Sequence, residues 1–186
     1  LHFHNFMEIG FCYYGEGTVT FKEEDLPFDG NMFTVIPKNF PHTTTSTGDS
    51  VSYWEWLFID ADKFLREVYK DNPRMAQKVL DRVNRRAHFV RVQDKPQIGA
   101  LVQQIIGCMR ERKEFYLDEV KGLILALLLQ VARWNREEAE KPEFEAGNTS
   151  LITPAIDYIS EYCDRPIKVE ELAAMCHISE THFRRV

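Results

Sequence analysis

Three imidazoles and one carboxylate in the first quarter of the chain could together bind a metal ion. They are His2, His4, Glu8 and His42. Residues 2, 4 and 8 share parity, so on an extended strand their side chains would point to one face. Such nitrogen and oxygen ligands suit iron, manganese, nickel or zinc. Two other interpretations stay open, namely polar contacts to a small-molecule effector and histidines whose hydrogen bonds are satisfied inside a barrel.

A second set of side chains with possible binding chemistry is aromatic. Trp54, Trp56 and Phe58 alternate onto one face of the segment 51–59. Aromatic rings beside a carboxylate such as Glu8 suit a sugar, because ring faces cover its C–H patches while the carboxylate accepts its hydroxyl hydrogens. The alternative is that the stripe is simply core. One hypothesis is therefore a carbohydrate effector bound by Trp54 and Trp56 together with the histidines and Glu8.

The elements that must position these groups are mostly β-strands. Residues 1–92 contain short β-branched or aromatic runs separated by turn signals such as 15–17, 29–31 and 48–49, a spacing typical of a barrel or sandwich. Two helices should interrupt the strands. The predicted strands are 8–14, 18–23, 32–36, 51–59 and 89–92, and the predicted helices are 61–70 and 73–86.

The next segment, residues 93–136, changes to a helical period. Two apolar faces at helical spacing predict an antiparallel pair of helices joined near residues 114–116. The second helix also carries Leu125, Leu129 and Ala132 on another face. That stripe either covers the barrel or forms a homodimer seam, and the sequence does not decide between them.

A polar, acidic stretch at residues 137–150 is typical of a linker, and a new unit is predicted from residue 151 to the end. Thr153 is expected to cap its first helix, with Pro154 at the first helical position. Further along, His177 stands where the chain must turn left-handed, and Ser179 is placed to cap the following helix. This spacing predicts a helix-turn-helix.

The second helix of that motif would enter the major groove of DNA. Its outward-facing residues are predicted to contact DNA, and Arg184 is the best candidate for a base contact because its fork matches guanine O6 and N7. The alternative is a plain helical pair with a charged outer face. The predicted DNA-contacting residues are Glu180, Thr181, Arg184 and Arg185.

Residues 155–185, which read AIDYISEYCDRPIKVEELAAMCHISETHFRR, resemble the opening of the AraC-type DNA-binding domain. In that family two helix-turn-helices joined by a long helix read adjacent segments of the major groove. The resemblance implies that Thr181, Arg184 and Arg185 occupy base- and phosphate-facing positions. The sequence stops after the first reading unit, so this chain alone is expected to bind DNA weakly or not at all.

The N-terminal region resembles the cupins, because His2, His4, Glu8 and Gly15 follow the spacing of the first cupin motif. Residues 30–37 followed by His42 resemble the second motif, although the gap from Gly30 to Pro37 is one residue longer than in the enzymes. Asn39 stands where that pattern has Gly. The resemblance implies an α+β protein with a cupin-like barrel, a double-stranded β-helix, that senses an effector. The alternative function is a metal-dependent cupin enzyme, an oxygenase or isomerase.

The expected organisation is therefore a bacterial transcription regulator in four parts. They are an effector-sensing barrel (1–92), a dimerising helical pair (93–136), a linker (137–150) and an incomplete DNA-binding unit (151–186). Its expected partners are DNA, a small molecule such as a carbohydrate, and a second copy of the chain. No catalytic residue is expected, and a transition metal is the one cofactor considered.

The composition of the 186 residues sets limits on this organisation. The net charge of −6 argues against a surface that binds nucleic acid everywhere, so DNA contact must be local. The longest apolar run, 123–129, is far below the roughly 20 residues that cross a bilayer. Dispersed cysteines predict a reducing, cytoplasmic setting. The first residues carry neither a signal peptide nor an initiator Met, so the sequence is expected to be cut at its N-terminal side.

Overall fold

The computed structural model describes residues 1–137 and 149–185. These residues form an N-terminal α+β region followed by helices. The strands are β1 (Met7–Tyr14), β2 (Gly17–Phe21), β3 (Glu24–Phe28), β4 (Met32–Ile36), β5 (His42–Ser46), β6 (Tyr53–Ile59) and β7 (His88–Arg91). The helices are α1 (Ala61–Val68), α2 (Pro73–Val83), α3 (Pro96–Glu111), α4 (Tyr116–Glu137), α5 (Thr149–Glu161), α6 (Val169–Met175) and α7 (Glu180–Phe183).

The strands form two antiparallel sheets that pack face to face. One has the order β6-β1-β4-β7 and the other the order β3-β2-β5. Apolar side chains from both sheets meet in one buried cluster, which defines the inside of the barrel. That inner cluster contains Cys12, Val19, Phe21, Phe28, Met32, Ile36 and Phe40.

The strand predictions for β1, β4 and β6 are confirmed within two residues, but the prediction of a strand at 18–23 is wrong at its end. Lys22 has φ 58° and starts a tight hairpin into β3, which was not predicted. β5 was not predicted either. β5 has a polar sequence, and β3 begins with two acidic residues and has Pro27 between Leu26 and Phe28, which disfavours the prediction of a strand. Each of these two strands pairs with one edge of β2, and the backbone hydrogen bonds of that pairing hold it in the sheet.

The larger core lies on the other face of β1. Because side chains alternate across a strand, Met7, Ile9 and Phe11 point away from the barrel interior and pack against the helices. α3 and α4 contribute residues such as Ile105 and Leu127, both at most 1% exposed. Burial of each such side chain stabilises the fold by roughly 1.5–3 kcal/mol. Because this core fixes the position of β1, it also fixes the residues that β1 points into the barrel.

The helical pair α3 and α4 is joined as predicted, through a turn in which Arg112 (φ 51°) and Phe115 (φ 64°) are left-handed. The apolar stripe on α4 is partly covered within the chain. Ala132 is buried in the larger core, and Leu125 and Leu129 are partly buried against it. Packing against the larger core thus leaves this stripe less exposed than packing against α3 alone would.

The C-terminal helices form a small core of their own, in which Ala155, Leu172 and Cys176 are buried. The predicted helix start at Thr153 and Pro154 is wrong, because α5 begins at Thr149 and contains Pro154 in its interior. Ile152, which lies before the proline in α5, is partly buried against this core. Of the predicted linker, Glu137 ends α4 and residues 149–150 begin α5, whereas 138–148 lie outside the described residues.

None of the helices in the described ranges is both long enough and apolar enough to cross a membrane.

Candidate functional site

The four metal-ligand candidates converge at one end of the barrel interior. Glu8 lies near the start of β1 and His42 is the first residue of β5. His2 and His4 lie in the segment before β1. That segment runs antiparallel to β5 at one point, where His2 and His42 exchange two backbone hydrogen bonds of 2.9 Å.

The carboxylate of Glu8 is the centre of this cluster, which we call the His/Glu cluster. Its Oε2 atom lies 2.9 Å from Nε2 of His4 and 3.3 Å from Nε2 of His42. The ring of His2 completes the group, 4.5 Å from the ring of His42 and 4.9 Å from that of His4 between centroids. One ligand atom from each of the four residues lies within 4.8 Å of every other. Glu8 and His42 are buried, whereas His4 is half-buried and His2 exposed.

The grouping of these residues is as predicted, but the stated reason is wrong. Of the three residues with shared parity, only Glu8 lies on β1, because the strand begins at Met7. His2 and His4 reach the cluster through pairing with β5 and through the carbonyl of His4, which accepts a 2.7 Å hydrogen bond from the backbone N–H of Asn39. Tertiary contacts, not strand alternation, bring them there.

The hydrogen bonds of His42 fix which of its nitrogens faces the carboxylate. Nδ1 lies 2.8 Å from the carbonyl oxygen of Phe40, which can only accept, so Nδ1 carries the proton and donates it. Nε2 therefore points at Glu8. The pKa of His2 is lowered by partial loss of hydration and by the neighbouring His42 and His4, which favours a neutral imidazole.

A cavity of about 240 Å³ opens beside the cluster. Besides the four cluster residues, its walls are formed by side chains of β5 and β6, which are Thr44, Trp56 and Phe58. Trp56 fits because Gly10 lies beneath it, where an added Cβ would stand 2.2 Å from the indole. The cavity thus combines an aromatic wall with histidine and carboxylate groups.

Trp54 does not line this cavity. Its ring stacks on Trp56 at 4.9 Å with an interplanar angle of 5° and meets Phe28 edge-on at 5.1 Å, inside the barrel. Of the two tryptophans predicted to bind an effector, the structure places only Trp56 at the cavity. Trp54 therefore supports the position of the Trp56 indole by stacking on it and does not itself border the cavity.

Sequence reasoning missed the residues that connect the cluster to the C-terminal helices. Lys38 forms ion pairs with Asp62 of α1 and Asp157 of α5, both with N–O distances of 3.3 Å. Asn39, buried and left-handed with φ 60°, donates from its side chain to Asp157 at 3.5 Å. The only sequence signal was Asn39 itself, since Asn tolerates the left-handed region. Asp157, its partner 118 residues away in the chain, carried no sequence signal for this contact.

The residues of the second predicted site lie on α7 and directly after it. The predicted left-handed turn before α7 and the cap of α7 are confirmed. His177 is left-handed with φ 54°, and the Ser179 hydroxyl accepts a 3.2 Å hydrogen bond from the backbone of His182. Thr181 and Arg185 are exposed. The guanidinium of Arg184 donates to Oε1 of Glu180 at 2.7 and 2.9 Å.

Residues 1–128 match the family model described as the AraC-like ligand binding domain. A search of curated proteins gave no match.

Among solved structures the fold is similar to ToxT from Vibrio cholerae O395, with a TM-score of 0.56 and 10% identity over 98% of this chain. It is also similar to the AraC-like transcriptional activator CuxR, with a TM-score of 0.51, 16% identity and the same coverage of this chain. Wild-type ToxT from Vibrio cholerae strain SCE256 with an unsaturated fatty acid bound matches at a TM-score of 0.55 and 8% identity, again over 98% of this chain. At these identities the similarity establishes the fold alone, and the chain spans 65% of the length of each of these proteins.

Proposed function

The chain belongs to the family of AraC-like ligand-binding domains, and on this premise we propose that it is the larger part of an effector-responsive transcription regulator. A small molecule binds in the barrel cavity, and α6 and α7 contact DNA. The observation that carries the proposal is the presence, on one chain, of a polar cavity in the barrel and a helix pair with a left-handed turn and a capped second helix.

The DNA-contacting surface is the exposed face of α7 and the residues that follow it. Thr181 and Arg185 project from this face without packing against the C-terminal core. Arg184 is held by Glu180, so DNA must exchange this ion pair for a base contact. That exchange favours a base able to accept two hydrogen bonds, such as guanine, over one that accepts fewer.

The effector that fits the cavity is small and polar. Three imidazoles and a carboxylate can hold hydroxyl groups, and the Trp56 indole can cover an apolar sugar face. ToxT has been crystallised with an unsaturated fatty acid. A long apolar chain would have to place its tail against Glu8 and His42, both of which are buried polar groups. A carbohydrate therefore suits this cavity better than a lipid.

The segment 37–41 provides the coupling between cavity and DNA-binding helices. At one end the Asn39 backbone bonds to His4 and the Phe40 carbonyl accepts from His42. On its other side Lys38 and Asn39 contact Asp157 on α5. An effector that shifts the histidines changes this contact and with it the presentation of α6 and α7, which biases an equilibrium between two arrangements.

Assembly as a homodimer completes the proposal. The α4 stripe leaves Leu125 and Leu129 partly exposed after packing within the chain. A second copy that packs on the same stripe by a two-fold axis would bury the remainder.

Selection of DNA sequences from a random pool by the full-length natural protein tests the proposal. We expect a defined motif to be enriched at moderate salt. A matched variant, Arg184→Ala with Arg185→Ala, should lose the motif while its barrel stays folded. Recovery of unbiased sequences by both proteins would contradict the regulator function.

A further inference from the structure

We propose that a second cavity in this protein binds a small aromatic carboxylate, and that this ligand acts on the segment 37–41 through the side chain of Phe40. The cavity has a volume of about 270 Å³ and shares no lining residue with the cavity beside the His/Glu cluster. Binding of the carboxylate stands on the structure of this second cavity alone. Its use as a signal rests on the proposed function.

The second cavity lies at a seam of the barrel where the two sheets do not join. β3 is the last strand of one sheet and β7 the last strand of the other, and within the described residues no strand pairs with the outer edge of either. Leu26 of β3 and Phe89 of β7 both line the gap, and Trp134 of α4 lines it as well. Two sheets and a helix therefore hold the shape of this cavity.

Most of the cavity wall is aromatic. Phe21, Phe40 and Trp134 are each at most 8% exposed, and the rings of Phe21 and Phe40 meet edge to face at 5.6 Å between centroids. Phe89 and Leu26 add to this apolar surface. A flat ring placed among these side chains would bury apolar area and gain ring contacts. Because cavities for drug-sized ligands measure roughly 300–1,000 Å³, this smaller cavity suits a ligand with a single ring.

The charged groups at the second cavity favour a ligand with a negative charge. Arg86 is half-buried in the wall, and the Lys22 ammonium lies 5.5 Å from the centre of the Phe40 ring. The carboxylate of Glu24 also borders the cavity, but this residue is exposed, so water weakens the field of its charge. A guanidinium can donate two parallel hydrogen bonds to a carboxylate, which makes a carboxylic acid the favoured anion.

The indole of Trp134 is held in place and has an unused donor. It stacks on His88 at 3.6 Å between ring centroids, and the Lys95 ammonium lies 4.7 Å from the centre of the indole ring. His88 is itself held by Asn135, whose amide oxygen accepts from Nε2 while its amide nitrogen donates to the carbonyl of Arg82. Nε1 of Trp134 is buried and has no hydrogen-bond partner among the described residues. Because an unpaired buried donor is destabilising, a carboxylate oxygen that reaches this nitrogen would stabilise the complex.

Phe40 connects the second cavity to the His/Glu cluster and to α5. Its ring forms part of the cavity wall, and its carbonyl accepts the hydrogen bond from Nδ1 of His42. The preceding residue, Asn39, donates to Asp157 of α5. A ligand that packs on the Phe40 ring would therefore stabilise one position of a segment that contacts both the cluster and α5.

Titration of ¹⁵N-labelled protein with phenylacetate, followed by NMR, tests the binding. The chain has three tryptophans, so three indole N–H signals are expected, and Trp134→Phe assigns one of them. We expect phenylacetate to shift the Trp134 signal and to leave those of Trp54 and Trp56 unchanged. Phenylacetamide, which has the same ring but no charge, should bind severalfold more weakly. A shift confined to Trp54 and Trp56, or no shift at all, would overturn the proposal.

Three variants separate loss of the site from loss of the fold, which an unchanged melting temperature verifies. Ala87→Leu adds volume to the cavity wall and should abolish the shift. Arg86→Gln should weaken the binding of phenylacetate severalfold and leave that of phenylacetamide as it was. Arg85→Gln changes the neighbouring exposed arginine and, as the matched control, should alter neither affinity. Equal affinity of the parent chain, Ala87→Leu and Arg86→Gln for phenylacetate would contradict the site.

Hydrogen exchange of α5 amides with and without phenylacetate tests the action on the segment 37–41. We expect exchange to slow severalfold, and we expect the effect to disappear in Ala87→Leu. Exchange that ignores phenylacetate overturns the signalling role while the binding site stands. Neither measurement involves DNA, so failure of the DNA selection experiment would contradict the proposed function and leave this site in place.

Discussion

The Nζ atom of Lys38 lies 3.3 Å from Oδ2 of Asp157, so an ion pair joins the barrel to the first of the C-terminal helices. Asn39 donates to the other oxygen of the same carboxylate. Both residues belong to the segment that also bonds to His4 and His42. This contact joins the segment beside the cavity to α5, the helix that precedes α6 and α7 in the chain.

The first prediction concerns this contact. Lys38→Met should speed hydrogen exchange of α5 amides severalfold, because Asp157 loses its charged partner. The unfolding free energy should fall by no more than about 1 kcal/mol, since the side chains are 23% and 45% exposed and water screens the pair. Lys63→Met, an exposed lysine on α1, serves as the control. Unchanged exchange in α5 would show that the ion pair does not hold the helix.

The second prediction concerns sequence recognition. In the full-length protein, Arg184→Ala should cost roughly 1–3 kcal/mol of preference for its own base pair, because a bidentate guanine contact is lost. Arg185→Ala should weaken binding to all sequences alike. Affinities for a specific and a mismatched operator are compared at one salt concentration, since phosphate contacts make them salt-dependent. An equal loss on both operators for Arg184→Ala would exclude it as a base reader.

The third prediction concerns assembly. If the α4 stripe is a dimer seam, the double change Leu125→Lys with Leu129→Lys should give a folded monomer in sedimentation, because buried lysines oppose association. Val68→Lys changes an apolar residue that is 41% exposed on α1 and should leave the mass unchanged. A dimer that persists, or a misfolded barrel, would assign the stripe to packing within the chain.

The fourth prediction concerns the shape of the cavity. Gly10→Ala places a Cβ 2.2 Å from the Trp56 ring and 2.8 Å from the Thr34 hydroxyl, so the indole must shift. We expect a loss of about 1–3 kcal/mol in thermal unfolding and a change in tryptophan fluorescence. Gly122→Ala on α4 is the matched control. Its added methyl meets no atom within 4 Å, and it should stabilise the helix by up to about 1 kcal/mol. Equal stability of the two variants would show that Gly10 does not set the position of Trp56.

The elements that the sequence predicted well depend on local pattern. β-Branched or aromatic runs between turn signals marked β1 and β4, and helical periodicity marked α3 and α4. The left-handed His177 and the cap at Ser179 followed from the preferences of single residues. In each case the information lies within about one turn or one strand, where the intrinsic preferences of the chain decide the conformation.

Features that depend on distant partners were predicted poorly or for the wrong reason. β5 is polar and β3 contains Pro27, and each pairs with one edge of β2. Trp54 and Trp56 share a strand face, yet only Trp56 borders the cavity, because Phe28 of the opposite sheet packs against Trp54. The composition of β6 carries no sign of that difference.

The sequence by itself determined which residue types are available in the barrel and on α7. In the barrel, His2, His4, Glu8 and His42 were named from their chemistry and spacing. The tertiary structure decided how they meet. Pairing of the N-terminal segment with β5 brings His2 and His4 to Glu8, and the segment 37–41 places Lys38 against Asp157. The physical reason is that these contacts join residues far apart in the chain, and their energy depends on the packing of the whole barrel, which no local pattern encodes.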